Sequence, residues 1–228
     1  MRRCITKVLV ALQFLHGGVF DPGKAIPSRV AVFPGAYNPP TIAHLEIARA
    51  AATRADEVLW VIPRSFPHKD FDGAPFEARC RMLAVLAQET PGFSAATSDG
   101  GLYGEIADEA RAYFGEQTEI ALVCGRDAAE RLAEWDYGDP DYVERLLGRY
   151  RILVAARRGQ YQPRERHRQA MTALELPASH DFVSSSEVRR RLEKGGNWQD
   201  LVPASIHENI RNAYGPRAPG GSLIDSLR

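Results

Sequence analysis

The chain has 228 residues, 44% of them hydrophobic and 25% charged, with a formal net charge of zero. That composition is globular. The length suits one large domain or two small ones, and the neutral balance excludes a strong net-charge attraction to nucleic acid or an anionic membrane.

The elements follow in chain order. The opening MRRCITKVLVALQFLHGG carries an apolar stretch from Val8 to Leu15. Lys7 abuts it, Gln13 interrupts it and no small-x-small cleavage site follows, so it does not read as a signal peptide. It is also too short to span a bilayer. Residues 1–28 are therefore expected to form an accessory helix or extension of a cytosolic protein. Arg29–Phe33 (RVAVF) is a β-branched strand. Ile42–Ala52 has helical periodicity, with Ile42, Leu45, Ala48 and Ala52 expected to face inward. Glu57–Ile62 is a second apolar strand, and Pro75–Gln88 is a helix with Met82, Leu83 and Leu86 inward. Strands are predicted at Phe93–Thr97, Glu119–Cys124 and Arg151–Ala155. Helices are predicted at Tyr103–Phe114, Ala128–Glu134 and Tyr142–Leu147, and again near Arg164–Ala173, Ser185–Glu193 and Ala204–Tyr214. Apolar strands alternating with helices give an α/β fold, an open parallel sheet with helices on both faces. Residues 29–214 form the domain. Residues 215–228, rich in Gly, Pro and Ser, are expected to be a flexible tail. Cys4, Cys80 and Cys124 are odd in number and widely spaced, with no C-x-x-C. That spacing argues against a zinc site or disulfide framework and for a reducing, cytoplasmic setting.

The first strand runs into FPGAYNPPTIAHL, Phe33–Leu45. An ordinary connection takes about two to six residues with any turn chemistry; this one is longer and stiffer. Gly35 permits a sharp bend or the close approach of a phosphate, and Pro39 and Pro40 hold the chain extended. Thr41 can cap the next helix, leaving its first N–H groups and the positive end of its dipole exposed. His44 falls in the first turn. An anion placed there would meet N–H groups, a hydroxyl and an imidazole together.

A second stretch, VSSSEVRRRL from Val183 to Leu192, carries a capping box between Ser184 and Glu187, and so starts another helix. Ser185 and Ser186 occupy its first turn. Arg189 lies one turn from Ser185 and can fold back over the same anion. On chemistry alone, either stretch could equally be a plain capped helix start.

Taken in order, the two stretches resemble the paired signatures of the nucleotidyltransferase superfamily. G-A-Y-N-P-P-T-I-A-H is similar to its (H/T)-x-G-H motif, with Thr41 in the first position and Ala43 where glycine is usual. V-S-S-S-E-V-R is similar to its late S-S-(S/T)-x-(V/I)-(R/K) motif. Three middle segments resemble the nicotinate and nicotinamide mononucleotide adenylyltransferase branch: PRSFPHK at Pro63–Lys69 with Arg79 and Arg81-Met82-Leu83 beyond it; VCGRDAAERLAEW at Val123–Trp135; and RILVAARR at Arg151–Arg158. The turn Ser98–Tyr103 departs from that branch, having no matching threonine-rich wording.

The resemblance implies a Rossmann-like fold and adenylyl transfer from ATP to nicotinate or nicotinamide mononucleotide. It implies catalytic roles for His44, Thr41 and Arg189, and ATP binding through Gly35, Ala36, Asn38, Ser184, Ser185, Ser186, Gly125 and Asp127. Acceptor binding would fall to Lys69, Arg79, Trp135 and Arg158. Bottom-up, Asp127 at a strand end can reach a ribose hydroxyl. Trp135 can stack on a flat ring or simply pack in the core, and His68-Lys69 can equally be a surface pair. Mg²⁺ is expected to arrive with the ATP phosphates, since no cluster of carboxylates makes a dedicated cage. The expected partners are ATP and a mononucleotide, with no nucleic acid, membrane or resident metal; a homo-oligomer is left open. The alternatives are a phosphopantetheine-type or CTP-using transferase of the same superfamily, or a nucleotide-sensing module without turnover.

Overall fold

The computed structural model describes residues 12–18, 25–65, 73–134, 137–156, 161–176 and 182–215. In chain order these give β1 (Gln13–His16), β2 (Arg29–Pro34), α1 (Ile42–Ala52), β3 (Glu57–Pro63), α2 (Phe76–Glu89), β4 (Phe93–Ser98) and α3 (Tyr103–Phe114). There follow β5 (Glu119–Gly125), α4 (Arg126–Glu134), α5 (Tyr142–Arg149), β6 (Arg151–Ala155), β7 (Met171–Leu174), α6 (Ser185–Glu193) and α7 (His207–Tyr214). The strands form one sheet in the order β1-β4-β3-β2-β5-β6-β7. All pairings are parallel except that of β1 with β4. This is a Rossmann-like α/β fold. Among the described residues, no helix is long and apolar enough to cross a membrane.

The strands are apolar throughout because both faces of the sheet are covered. Ala31, Phe33, Val58, Trp60 and Ile62 point into one core layer with Ile47 of α1 and Met82 and Leu83 of α2. Their sequence neighbours Val30, Val32, Leu59 and Val61 point into the other, with Ile106 of α3 and Leu146 of α5. That division is the period-two alternation of a strand.

Four sequence expectations change. Residues 13–16 of the N-terminal extension form an edge strand, not a helix, with Phe14 opposite Ala96. The run is apolar on both sides because Phe14 stacks on Tyr113 of α3, centroids 4.4 Å apart, while Leu15 packs into the opposite layer. A short apolar run cannot by itself distinguish that from a helix. Residues 1–11 and the tail beyond 215 lie outside the described residues. The helix expected over 164–173 is a short 3-10 turn, Glu165–His167, followed by β7, which adds parallel to β6 in the register Ile152↔Met171. The helix expected over 204–214 begins as a 3-10 turn and becomes α7 at His207. On α1 the buried face is Ala43, Ile47, Ala48 and Ala51, with Ile42 and Leu45 at its margin.

β2 lies between β3 and β5 although it precedes both, so the strand order reverses beside it. In an open α/β sheet the crevice outside the carboxyl ends of the strands at such a point is where ligands bind. The β2–α1 loop and the start of α4 both lie at those carboxyl ends.

Leu83 is fully buried in the layer beneath α2. Leu83→Ala is expected to destabilise the fold by about 2–5 kcal/mol, read as a lower urea midpoint with an unchanged slope.

Candidate active site

The β2–α1 loop is a rigid object. The Gly35 N–H donates to Val61 O at 3.0 Å, tying the loop to β3. Tyr37 adopts a left-handed backbone with φ 46°, which is uncommon for a bulky residue. Its ring turns back over Gly35, and its hydroxyl donates to Phe33 O at 2.5 Å. Burial pushes the Tyr37 phenol well above its ordinary range, so it remains a donor. A Cβ on Gly35 would lie 2.8 Å from Tyr37 Cζ. Gly35 is thus required by the ring stacked on it, a reason the sequence does not display.

Thr41 is fully buried and caps α1. Its Oγ1 accepts from the His44 N–H at 3.4 Å, while the Thr41 N–H donates to His44 Nδ1 at 3.1 Å. This is a capping box in which histidine takes the place usual for Glu or Gln. The consequence is chemical. A neutral ring whose Nδ1 accepts from a backbone N–H carries its proton on Nε2. The cap therefore fixes both the position of His44 and the nitrogen that donates.

Ser184 caps α6, its Oγ accepting from Glu187 N at 3.2 Å. The start of α6 then docks on the β2–α1 loop, about 150 residues away in sequence. Ser185 Oγ donates to Pro39 O at 2.8 Å, and the Arg189 guanidinium donates through Nη1 to Asn38 O at 2.6 Å and through Nη2 to Ser186 Oγ at 3.3 Å. The Arg189-Arg190-Arg191 run is divided by geometry. Arg190 and Arg191 both bind Glu187, and Arg191 also reaches Asp200. Those guanidiniums hold the Glu187 carboxyl down at about 2. Only Arg189 of the three bonds to the loop.

A cavity of about 540 Å³ opens at the Gly35 end of the loop, lined by Gly35 and His44 on one side and by Cys124, Gly125, Arg126, Asp127 and Arg131 on the other; Thr41, Ser184, Ser185, Ser186 and Arg189 are not among its described lining residues. Burial pushes the Cys124 thiol up to about 12, leaving it no thiolate character near neutral pH. Gly125 ends β5 and Asp127 lies in the first turn of α4, so the strand–helix joint delivers both. Arg126 and Arg131 were not among the sequence candidates. Their signal was present in GRDAAER, where Asp127 and Arg131 stand four apart on one helix face.

Other expected residues take different positions. Arg79, anticipated at the acceptor, is buried at 3% exposure. It donates to Ala36 O at 2.8 Å and to Ala74 O at 3.2 Å, bracing the loop from α2. Asn38 is also buried, its Oδ1 accepting from the Ala74 N–H at 3.1 Å and from the Tyr214 hydroxyl. Ala36 takes part through its carbonyl. Lys69, Trp135 and Arg158 lie outside the described residues. Among the described residues, no group of three or more His, Cys, Asp or Glu is placed to hold a metal ion.

A family model described as cytidylyltransferase-like matches residues 32–191, a span that contains both helix starts. The chain belongs to the cytidylyltransferase-like family. It is a nucleotidyltransferase. A relative from Treponema pallidum is 30% identical over 196 residues, covering 80% of this chain and 96% of its own. One from Thermus thermophilus is 31% identical over 189 residues, again covering 80% and 96%. Both are named as probable nicotinate-nucleotide adenylyltransferases. The structure of Plasmodium falciparum nicotinic acid mononucleotide adenylyltransferase complexed with APC matches with a TM-score of 0.61 at 16% identity, over 81% of this chain and 95% of that one. The same enzyme complexed with NaAD gives 0.60. These two matches establish the fold, and the relatives place this cytidylyltransferase-like chain beside the adenylyltransferases named above.

Gly35→Ala should force Tyr37 off its site, because the atom it meets belongs to a buried ring with no room to move. A loss of about 1–3 kcal/mol is expected, the usual cost of overpacking. Nucleotide turnover should fall at temperatures where the protein is still folded. Urea melts and initial rates on the same preparation check both.

Proposed function

We propose that the chain transfers the adenylyl group of ATP to nicotinate mononucleotide, giving the dinucleotide and pyrophosphate. The observation that carries the reading is the docking of two helix starts, at Thr41 and Ser184, on a loop whose Gly35 end borders the cavity. The names of the relatives support nicotinate mononucleotide as the acceptor.

In this reading an oxygen of the acceptor phosphate attacks the α-phosphorus of ATP. The P–O bond to the bridging α–β oxygen breaks, and its electron pair leaves with pyrophosphate. No protein nucleophile enters, and the high thiol pKa of Cys124 suits a bystander. The chain's contribution is positioning and charge stabilisation. His44, held in its Nε2–H form by Thr41, donates to a non-bridging phosphate oxygen and shares the charge that grows there. The N–H groups at the starts of α1 and α6 offer two anion sites with favourable dipoles. Arg189 supplies a fixed positive charge between them. Asp127 is placed to accept from a ribose hydroxyl. Arg126 and Arg131 give the far wall of the cavity a positive character that suits the anionic acceptor. With no cluster of protein ligands among the described residues, a magnesium ion would be carried by ATP phosphate oxygens and water. It would neutralise phosphate charge.

His44→Ala should lower kcat by about a hundredfold or more with the urea midpoint little changed, as for loss of a donor that matters in the transition state. Turnover at the parent rate would remove His44 from the mechanism. The acceptor and donor are settled by pyrophosphate release with ATP or CTP against nicotinate mononucleotide, nicotinamide mononucleotide and phosphopantetheine. The expected result is release with ATP and nicotinate mononucleotide; release only with another pair overturns the assignment. Arg131→Ala should raise KM for the mononucleotide while leaving KM for ATP within about twofold. The opposite split would assign Arg131 to ATP.

A further inference from the structure

The β2–α1 loop is held by donors from three elements, and two of them are outside both signature motifs. Arg79 of α2 bonds Ala36 O, and Ser185 and Arg189 of α6 bond Pro39 O and Asn38 O. The third is α7. Its last residue, Tyr214, donates its hydroxyl to Asn38 Oδ1, a contact that spans 176 residues of sequence. The same oxygen accepts from the Ala74 N–H at 3.1 Å. Gly73 lies directly on this amide, and a Cβ there would fall 1.9 Å from Asn38 Nδ2. Asn38 is therefore the point where the loop, the segment before α2, α6 and α7 meet.

We propose that Tyr214 is a positioning residue for the reaction, acting through Asn38. Three features carry this. Asn38 is 5% exposed, so no water substitutes freely for a lost donor. α7 is anchored independently, with Ile210 fully buried and Tyr214 packed on the same core layer, so the hydroxyl is presented by a fixed scaffold. Asn38 lies three residues before Thr41, and its main-chain carbonyl is the acceptor for Arg189. Releasing the Asn38 side chain would loosen the residue whose carbonyl Arg189 bonds, three residues before the cap that orients His44. Burial raises the Tyr214 phenol above its ordinary range, which keeps it a donor at every working pH. The ring supports the fold, while the hydroxyl sets the loop.

The inference rests on the adenylyl-transfer reading for its kinetic readout. Tyr214→Phe keeps the ring and removes the donor. The expected result is a fall of about tenfold in kcat/KM for ATP, which is 1.4 kcal/mol and the size of one lost hydrogen bond. KM for the mononucleotide should stay within about twofold, and the urea midpoint should fall only modestly, as for one buried hydrogen bond. In an Asn38→Ala background the same substitution should cost nothing more, because coupled residues are not additive. In Asn38→Asp, which retains the accepting oxygen, the loss should persist. An unchanged kcat/KM in Tyr214→Phe overturns the proposal, as does an equal loss in the Asn38→Ala background. A lower urea midpoint with intact kinetics also overturns it, since that describes a purely structural contact. Calorimetric binding of ATP alone separates the two levels. A parent that binds no ATP defeats the adenylyl-transfer reading, and the Tyr214 cycle is then read with the nucleotide the parent does use. A parent that binds ATP, with a Tyr214→Phe variant that binds and reacts equally, defeats only this inference.

Discussion

Three backbone carbonyls in one loop determine how the rest of the site is arranged. Ala36, Asn38 and Pro39 turn their oxygens toward Arg79, Arg189 and Ser185. Pro39 and Pro40 have no N–H groups to satisfy such oxygens, and buried carbonyls without partners are costly. The chain meets the need with side chains from α2 and α6. Satisfying the loop therefore requires both helices to come to it. The convergence of Arg79, Ser185 and Arg189 on the loop is a by-product of hydrogen-bond satisfaction.

That constraint also explains why two helix starts share one region. Thr41 caps α1 and Ser184 caps α6, each leaving part of the first turn's N–H groups for another partner. Held together by the Ser185–Pro39 and Arg189–Asn38 bonds, they offer two dipole ends and one guanidinium over a short distance. Most of the exposed ion pairs elsewhere, such as Arg29–Asp56 and Arg145–Asp139, are of the kind that contributes little. The pairs on α6 matter for another reason. Glu187 takes Arg190 and Arg191 and leaves Arg189 to the loop.

Electrostatics and packing meet at His44. Its ring lies 5.4 Å from that of Tyr37 and 6.3 Å from that of Phe33, centroid to centroid. The imidazole is thus held between an aromatic cluster on one side and the Thr41 cap on the other. A group so constrained has little orientational freedom left to lose, which is the condition a preorganised donor must meet.

The residues by themselves determined the layered α/β architecture, because strands apolar on both sides and periodic helices admit few other arrangements. They also determined both helix starts, because Thr41, Ser184 and Glu187 are local signals whose physics spans only four residues. Gly125 and Asp127 were legible as the end of an apolar strand. What lay beyond reach was everything set by partners distant in the chain. Gln13–His16 and Met171–Leu174 are strands because a free sheet edge accepts them, and their four-residue patterns fit helix and strand alike. Arg79 looks like a ligand-binding cation in sequence and is a buried brace in the fold. The need for glycine at 35 comes from the Tyr37 ring, and at 73 from the Asn38 amide. Local sequence carries capping and periodicity; only the packed chain decides which donor meets which carbonyl, because that choice depends on residues more than a hundred positions apart.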